Sequence, residues 1–325
     1  MRAHGAGWLA IGVLAVAVAW APAPAPGRAR RAAPATVRLP RCFGAASRDP
    51  RTSCHNPRLR YTVRPRPSMA QLTPNEPCER LERWGPVHPC AFGAAPEDAV
   101  TTIALIGDSH ASHWRAALRV AADVRRWRGI SITNGICPVS AVPRRLPPAQ
   151  RRQCDEWNET VLRWLRAHPE VTVVVHAQLI SRKDVEASSA RTQYAAKVSG
   201  YRRVWHAFPP TVRHIVAMRD NPKVLPETPE CVMRARARRL RPGVTCALPR
   251  DWSLRHDPLA AAAHQTHSRR VDLVDLTHFF CGPRVCYPVV GGALVHKDEH
   301  HLTRMFSTSL GPYLLRRLNH LIPAD

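Results

Sequence analysis

Lysine is almost missing from this chain. Of 48 Lys+Arg residues only Lys183, Lys197, Lys223 and Lys297 are lysine, and Asp+Glu number just 24, for a formal net charge of +24 at pH 7. A surface that basic attracts anionic polymers or lipid headgroups. Compositional bias of the source is the alternative, since 31 prolines and abundant alanine accompany the arginines. The arginines are scattered and no nucleic-acid recognition motif goes with them, so nucleic acid is not an expected partner. No C-x-x-C occurs, and no Cys/His spacing fits a structural zinc site, so no metal and no other cofactor is expected. Long hydrophobic runs are missing too. The apolar stretch 8–21, WLAIGVLAVAVAWA, is shorter than the ~20 residues of a membrane span and matches the apolar core of an export signal. Arg28, Arg30 and Arg31 follow it, which leaves an uncleaved membrane anchor open beside the signal peptide. There is no internal repeat.

What the chain does have is cysteine. Cys42, Cys54, Cys78, Cys90, Cys137, Cys154, Cys231, Cys246, Cys281 and Cys286 fall into five near-neighbour pairs. An even count beside an export-like N-terminus points to an oxidising, extracytoplasmic home. The expected disulfides are 42–54, 78–90, 137–154, 231–246 and 281–286, although sequence does not fix connectivity.

The organisation reads as residues 1–21 for the signal or anchor, 22–41 for a Pro/Arg/Ala linker, 42–99 for a Cys/Pro-rich, disulfide-stapled and loop-rich lead-in, and 100–322 for a catalytic domain. The last part alternates strands and helices. VTTIALIG (100–107), GISITN (129–134), VTVVVHA (171–177), TVRHIVAM (211–218) and VDLVDLT (271–277) read as strands. Helices are expected over 151–168, 190–207, 255–270 and 302–320, with Pro-rich sequence reaching about 250 between them. VTVVVHA lacks polar alternation, as a strand buried on both faces should. The fold class is α/β, a three-layer α/β/α sandwich with a mainly parallel sheet.

Ligands of such sheets bind beyond the carboxyl ends of the strands. There the sequence places LIGDSHASHW, 105–114. Ser109 reads either as a helix N-cap or as a nucleophile whose oxyanion would meet free backbone N–H groups. HKDEHHLT, 296–303, supplies what a serine nucleophile needs: Asp298 and His301, three apart, as orienting carboxylate and general base. A metal cluster of His296, His300 and His301 is the competing reading, without the spacing of a zinc motif. His110 and His300 are expected to be neighbours of lesser consequence.

GDS after the first strand and D-x-x-H near the C-terminus resemble the SGNH (GDSL-like) hydrolase superfamily. The longer GDSHASHW and DEHHLT resemble the SGNH domain fused to, or working beside, membrane acyltransferase-3 proteins that O-acylate extracellular polysaccharides. The resemblance spans about 42–320 and includes CP at 137–138 and C-x-x-W at 154–157. It implies an SGNH/flavodoxin-like sandwich with Ser109 as nucleophile, His301 as base and Asp298 as its partner. The backbone N–H of Ser109 would be one oxyanion donor. Gly135 in TNGICP stands where the superfamily's glycine is expected. The asparagine of G-x-N-D is missing after the third strand, where HAQLISR offers Gln178; Asn221 in RDNP is a further alternative. The implied function is an exported serine O-acyltransferase acting through an acyl-enzyme, with an acyl ester donor and a cell-envelope carbohydrate acceptor. A membrane acyltransferase-3 protein and an anionic envelope polymer are further implied partners. The alternatives are a carbohydrate or lipid esterase of the same fold, or a non-catalytic carbohydrate-binding envelope protein whose nine tryptophans include stacking platforms.

Overall fold

The two apolar runs without alternation form the centre of the sheet. In the computed structural model, which describes residues 1, 39–181, 185 and 189–322, they are β3 (Thr101–Gly107) and β5 (Val171–Ala177), paired in parallel. Ile103 and Leu105 of β3 face one apolar layer, and Ala104 and Ile106 face the other, so both sides must be covered. Residues 2–38, which hold the expected export segment and most of the linker, lie outside the described residues.

The sheet continues through β4 (Trp127–Thr133) on one side, and through β6 (His214–Met218) and β8 (Val271–Val274) on the other, all parallel. The parallel order β4-β3-β5-β6-β8 reverses direction between β3 and β5. A crevice opens at the carboxyl ends of strands that flank such a switch point. Two more strands join beyond β4, namely β1 (Glu79–Arg80) and β2 (Cys90–Gly93), both antiparallel to their neighbours. The stapled lead-in therefore contributes to the sheet. Nothing in its sequence marks this, because a two-residue and a four-residue strand are too short to carry a period.

One face is covered by α2 (Ser109–Arg125) and α9 (Arg304–Leu321), the other by α3 (Pro148–Ala167), α4 (Ala190–His206) and α8 (Pro258–Gln265). These layers make the α/β/α sandwich. Outside them lie α1 (Pro67–Ala70), α5 (Thr228–Ala237), α6 (Pro242–Thr245) and α7 (Arg250–Ser253), with two small ribbons. The ribbons are β7 (Leu248–Pro249) with β9 (Val285–Cys286), and β10 (Val289–Val290) with β11 (Ala293–Leu294).

Three expected elements are shorter or more structured than read. The Pro-rich stretch before 250 holds α5 and α6, because proline is tolerated in a first helical turn and each of them carries one there. The helix expected over 255–270 is confined to α8, started by Asp257, whose carboxylate accepts from Leu259 and Ala260 N–H. The strand expected over 271–277 stops at Val274, where Asp275 turns the chain by accepting the N–H of Thr277 at 2.8 Å.

Disulfides join Cys42–Cys54, Cys78–Cys90, Cys137–Cys154, Cys231–Cys246 and Cys281–Cys286, and no cysteine among the described residues is free. Among the described residues no helix is long and apolar enough to cross a membrane.

Candidate active site

Gly107 ends β3 with φ +142, and a Cβ there would stand 1.9 Å from the Ala177 carbonyl oxygen of β5. Only glycine lets the two strands close up at this point. The chain then turns sharply into α2. Asp108 is the cap, its Oδ1 accepting the His110 N–H at 2.9 Å. The two readings of GDS thus belong to different residues, since the cap is Asp108 and the hydroxyl of Ser109 is left for something else. Asp108 also accepts the Leu179 N–H at 3.0 Å, tying the loop after β5 to the start of α2. Burial raises its pKa above the ordinary carboxylate value.

The hydroxyl of Ser109 meets His301, Oγ to Nε2 at 2.8 Å. On the other side of the ring, Nδ1 donates to Asp298 Oδ2 at 2.8 Å. Asp298 Oδ1 accepts the N–H groups of His300 and His301 at 3.0 and 2.7 Å, which folds 298–301 into one turn. Burial works against ionisation of Asp298, but the hydrogen bonds from His301 and from the turn outweigh it and hold its pKa well below the usual range. The turn is pinned from three sides. Leu302 N–H reaches His113 Nδ1 at 3.4 Å, Val224 N–H reaches the Glu299 carbonyl at 2.8 Å, and the Asn221 amide reaches the His300 carbonyl at 2.8 Å.

A second chain of polar groups runs behind this one. His110 Nδ1 donates to Asp220 Oδ1 at 2.5 Å, and His110 Nε2 lies 2.9 Å from His300 Nδ1. His110 and Asp220 are 1 % and 3 % exposed. Burial opposes the charged imidazole, yet the Asp220 carboxylate prevails and raises its pKa. The two rings share one hydrogen between His110 Nε2 and His300 Nδ1. Burial, helped by the His110 and His301 rings, lowers the His300 pKa to about 4 and keeps it neutral. The expectation of minor neighbours missed this link. Asp220 sits just past the carboxyl end of β6, where strand-end logic could have found it; its pairing with a residue 110 positions away has no local signal.

The remaining candidates are placed as follows. Gly135 is exposed beyond the carboxyl end of β4, and a Cβ there would meet nothing within 4 Å. Gln178 is buried just past β5. The Trp205 indole N–H donates to His176 Nδ1 at 2.9 Å, which puts the His176 hydrogen on Nε2 and turns the Gln178 carbonyl toward it. That oxygen accepts from His176 at 2.8 Å and from Val139 N–H at 2.7 Å, and the amide nitrogen donates to Asp108 at 3.2 Å. Gln178 therefore buttresses the cap of α2, and none of these bonds reaches Ser109. The Asn221 amide nitrogen is likewise engaged, with the Pro222 and His300 carbonyls at 3.1 and 2.8 Å.

Ligand nitrogens of His110, His300 and His301 lie within 4.8 Å of one another. This is a different set from His296, His300 and His301; His296 instead donates to the Pro222 carbonyl at 2.7 Å. A cation among the three would have to displace Ser109, Asp298 or Asp220 from rings that already hold them. A wide cleft, about 750 Å³, opens at the other end of the sheet, beside Thr101, Arg128, Thr172 and Arg213, a strand length away from Ser109. Chemistry and cleft size thus disagree, and the hydrogen-bonded residues mark the site.

The sequence from residue 73 to residue 316 matches the model of one family, the SGNH domain (fused to AT3 domains). The chain belongs to that family. Membership supports an acyltransferase or esterase of this fold. Among solved structures, this SGNH domain is similar to the periplasmic domain of a lipopolysaccharide acetyltransferase from Salmonella ser. Paratyphi A. The TM-score is 0.52 at 14 % identity, covering 68 % of this chain and 84 % of that one, which is a likeness of fold. Among curated proteins there is no match.

Proposed function

We propose that this SGNH domain is an extracytoplasmic serine O-acyltransferase that acylates cell-envelope carbohydrate through an acyl-enzyme. One observation carries the reading: Ser109, His301 and Asp298 stand in one hydrogen-bonded row at the mouth of the crevice, with Oγ–Nε2 and Nδ1–Oδ2 both at 2.8 Å. His301 Nε2 takes the Ser109 proton as Oγ bonds the ester carbonyl carbon. The leaving alcohol departs with that proton. An acceptor hydroxyl then gives its proton to His301 as its oxygen bonds the acyl carbon, and the Oγ–acyl bond breaks as His301 returns that proton to Ser109 Oγ. The Ser109 N–H in the first turn of α2 would be one oxyanion donor, and the Gly135 peptide is the second candidate. Carbohydrate is favoured as acceptor over water by the family's pairing with AT3 domains and by the likeness of fold to a lipopolysaccharide acetyltransferase domain. A membrane acyltransferase-3 protein would present the acyl group. Five disulfides and an export-like N-terminus support an extracytoplasmic place, with residues 1–21 as signal or anchor and 22–41 as a tether.

The test is Ser109→Ala. Release of nitrophenol from nitrophenyl acetate should fall to background, and labelling by a fluorophosphonate should vanish. Undiminished labelling of Ser109→Ala rejects Ser109 as nucleophile. Absence of labelling in the unaltered protein would favour the binding-protein alternative.

A further inference from the structure

A cavity of about 270 Å³ opens beside His300, one residue from the candidate base. Its walls include Ile180 after β5, Asn221 and Lys223 after β6, Ser253 of α7, and Glu299. Two wall residues carry buried polar atoms without a hydrogen-bond partner among the described residues. They are Asn221 Oδ1 and Ser253 Oγ, in residues 6 % and 2 % exposed. A buried polar atom left unpaired is costly, and folded proteins rarely keep one without reason. Two in one wall mark a cavity shaped for a polar guest.

The chemistry of the wall narrows the guest. Asn221 Oδ1 can only accept, Ser253 Oγ can accept or donate, and a neutral imidazole nitrogen of His300 can do either. Lys223 and Arg255 bring two positive charges and Asp220 and Glu299 two negative ones, so no net charge is called for. A neutral molecule bearing several hydroxyls satisfies every one of these groups. The volume, just under the range of drug-sized pockets, suits a single sugar ring.

We propose that this cavity is the acceptor subsite, which holds one sugar ring through Asn221 Oδ1 and Ser253 Oγ while a further hydroxyl of that ring faces the Ser109 acyl group. The proposal rests on the acyl-transfer reading and locates its acceptor. The placement is consistent with the polar chain behind it, since the Ile180 N–H donates to Asp220 Oδ2 at 2.8 Å and so joins the cavity wall to the His110–His300 pair.

The experiment uses the full chain, nitrophenyl acetate as donor and methyl glucoside as probe acceptor, and compares acetylated glucoside with free acetate. Transfer should saturate as methyl glucoside is raised. At a fixed subsaturating concentration the ratio of transfer to hydrolysis should drop about three- to tenfold in Ser253→Ala, the scale of one hydrogen bond, and further in Ser253→Val, whose methyls intrude on the space. Fluorophosphonate labelling and an unaltered melting curve identify variants whose fold and Ser109 remain intact. Transfer that rises linearly without saturation overturns the subsite, as does an unchanged ratio in both labelled variants. Loss of labelling in the unaltered chain would instead bring down the acyl-enzyme reading and this proposal with it.

Discussion

Asp298 divides its two oxygens between structure and chemistry, Oδ1 holding the turn through the His300 and His301 N–H groups while Oδ2 takes the His301 ring. An amide of the same shape separates the two roles. In Asp298→Asn the carbonyl can go on accepting from the turn, and the NH₂ then faces Nδ1. The imidazole must present a lone pair there and carry its hydrogen on Nε2, toward Ser109, where it can no longer take a proton. The expected outcome is a loss in kcat on nitrophenyl acetate of about 10⁴-fold, the cost of the wrong tautomer in a serine triad, with little change in melting temperature. Activity within tenfold of the unaltered protein would show that His301 does not depend on Asp298. Removing His110 would leave buried Asp220 with only the Ile180 and Asn221 N–H groups and take the partner from His300 Nδ1.

Two helices bring the halves of the site together, for Ser109 opens α2 and His301 lies just before α9, which Thr303 caps. They touch through Gly311 of α9, where an added Cβ would stand 2.4 Å from Val120 Cβ of α2. Alanine is the better helix former by about 1 kcal/mol, yet here the collision should prevail and Gly311→Ala should lower stability to urea. Adding Val120→Ala frees the space and should restore most of the loss, a positive coupling measurable as a double-mutant cycle. A stabilising Gly311→Ala would mean that the helices do not meet as closely as described. The same elements set what the sequence could reveal. β3 and β5 are legible because a strand buried on both faces reads as an unbroken apolar run, and GDS and D-x-x-H are legible because each packs its groups within four residues. β1 and β2 are not, being too short for a pattern. Neither is the job of Gln178, which Asp108 and Val139, both distant in sequence, help to fix.

At the scale of the molecule, apolar burial is uneven. Two large clusters flank the sheet, while a third comprises only Val63, Ala70, Val232, Ala235, Cys246, Val289 and Leu294, with Cys231 packed against it. So small a core lends little independent stability, and crosslinks commonly make up the difference. Here the Cys231–Cys246 disulfide joins α5 to the residue after α6 and closes a loop of 15 residues, worth about 3 kcal/mol by chain entropy. Its loss should therefore be felt locally before it is felt globally. In a Cys231→Ala/Cys246→Ala variant, amide exchange over 228–247 should speed up strongly while β3 and β5 keep their protection. The consequence reaches the site by a single step, because Val224, shortly before α5, holds the Glu299 carbonyl of the 298–301 turn. Nitrophenyl acetate hydrolysis should accordingly fall several-fold, with the melting of the sheet little altered. Exchange that rises together across 228–247 and the central strands would mean that the third cluster is not a separable unit, and unaltered exchange throughout would mean that the crosslink does not support it.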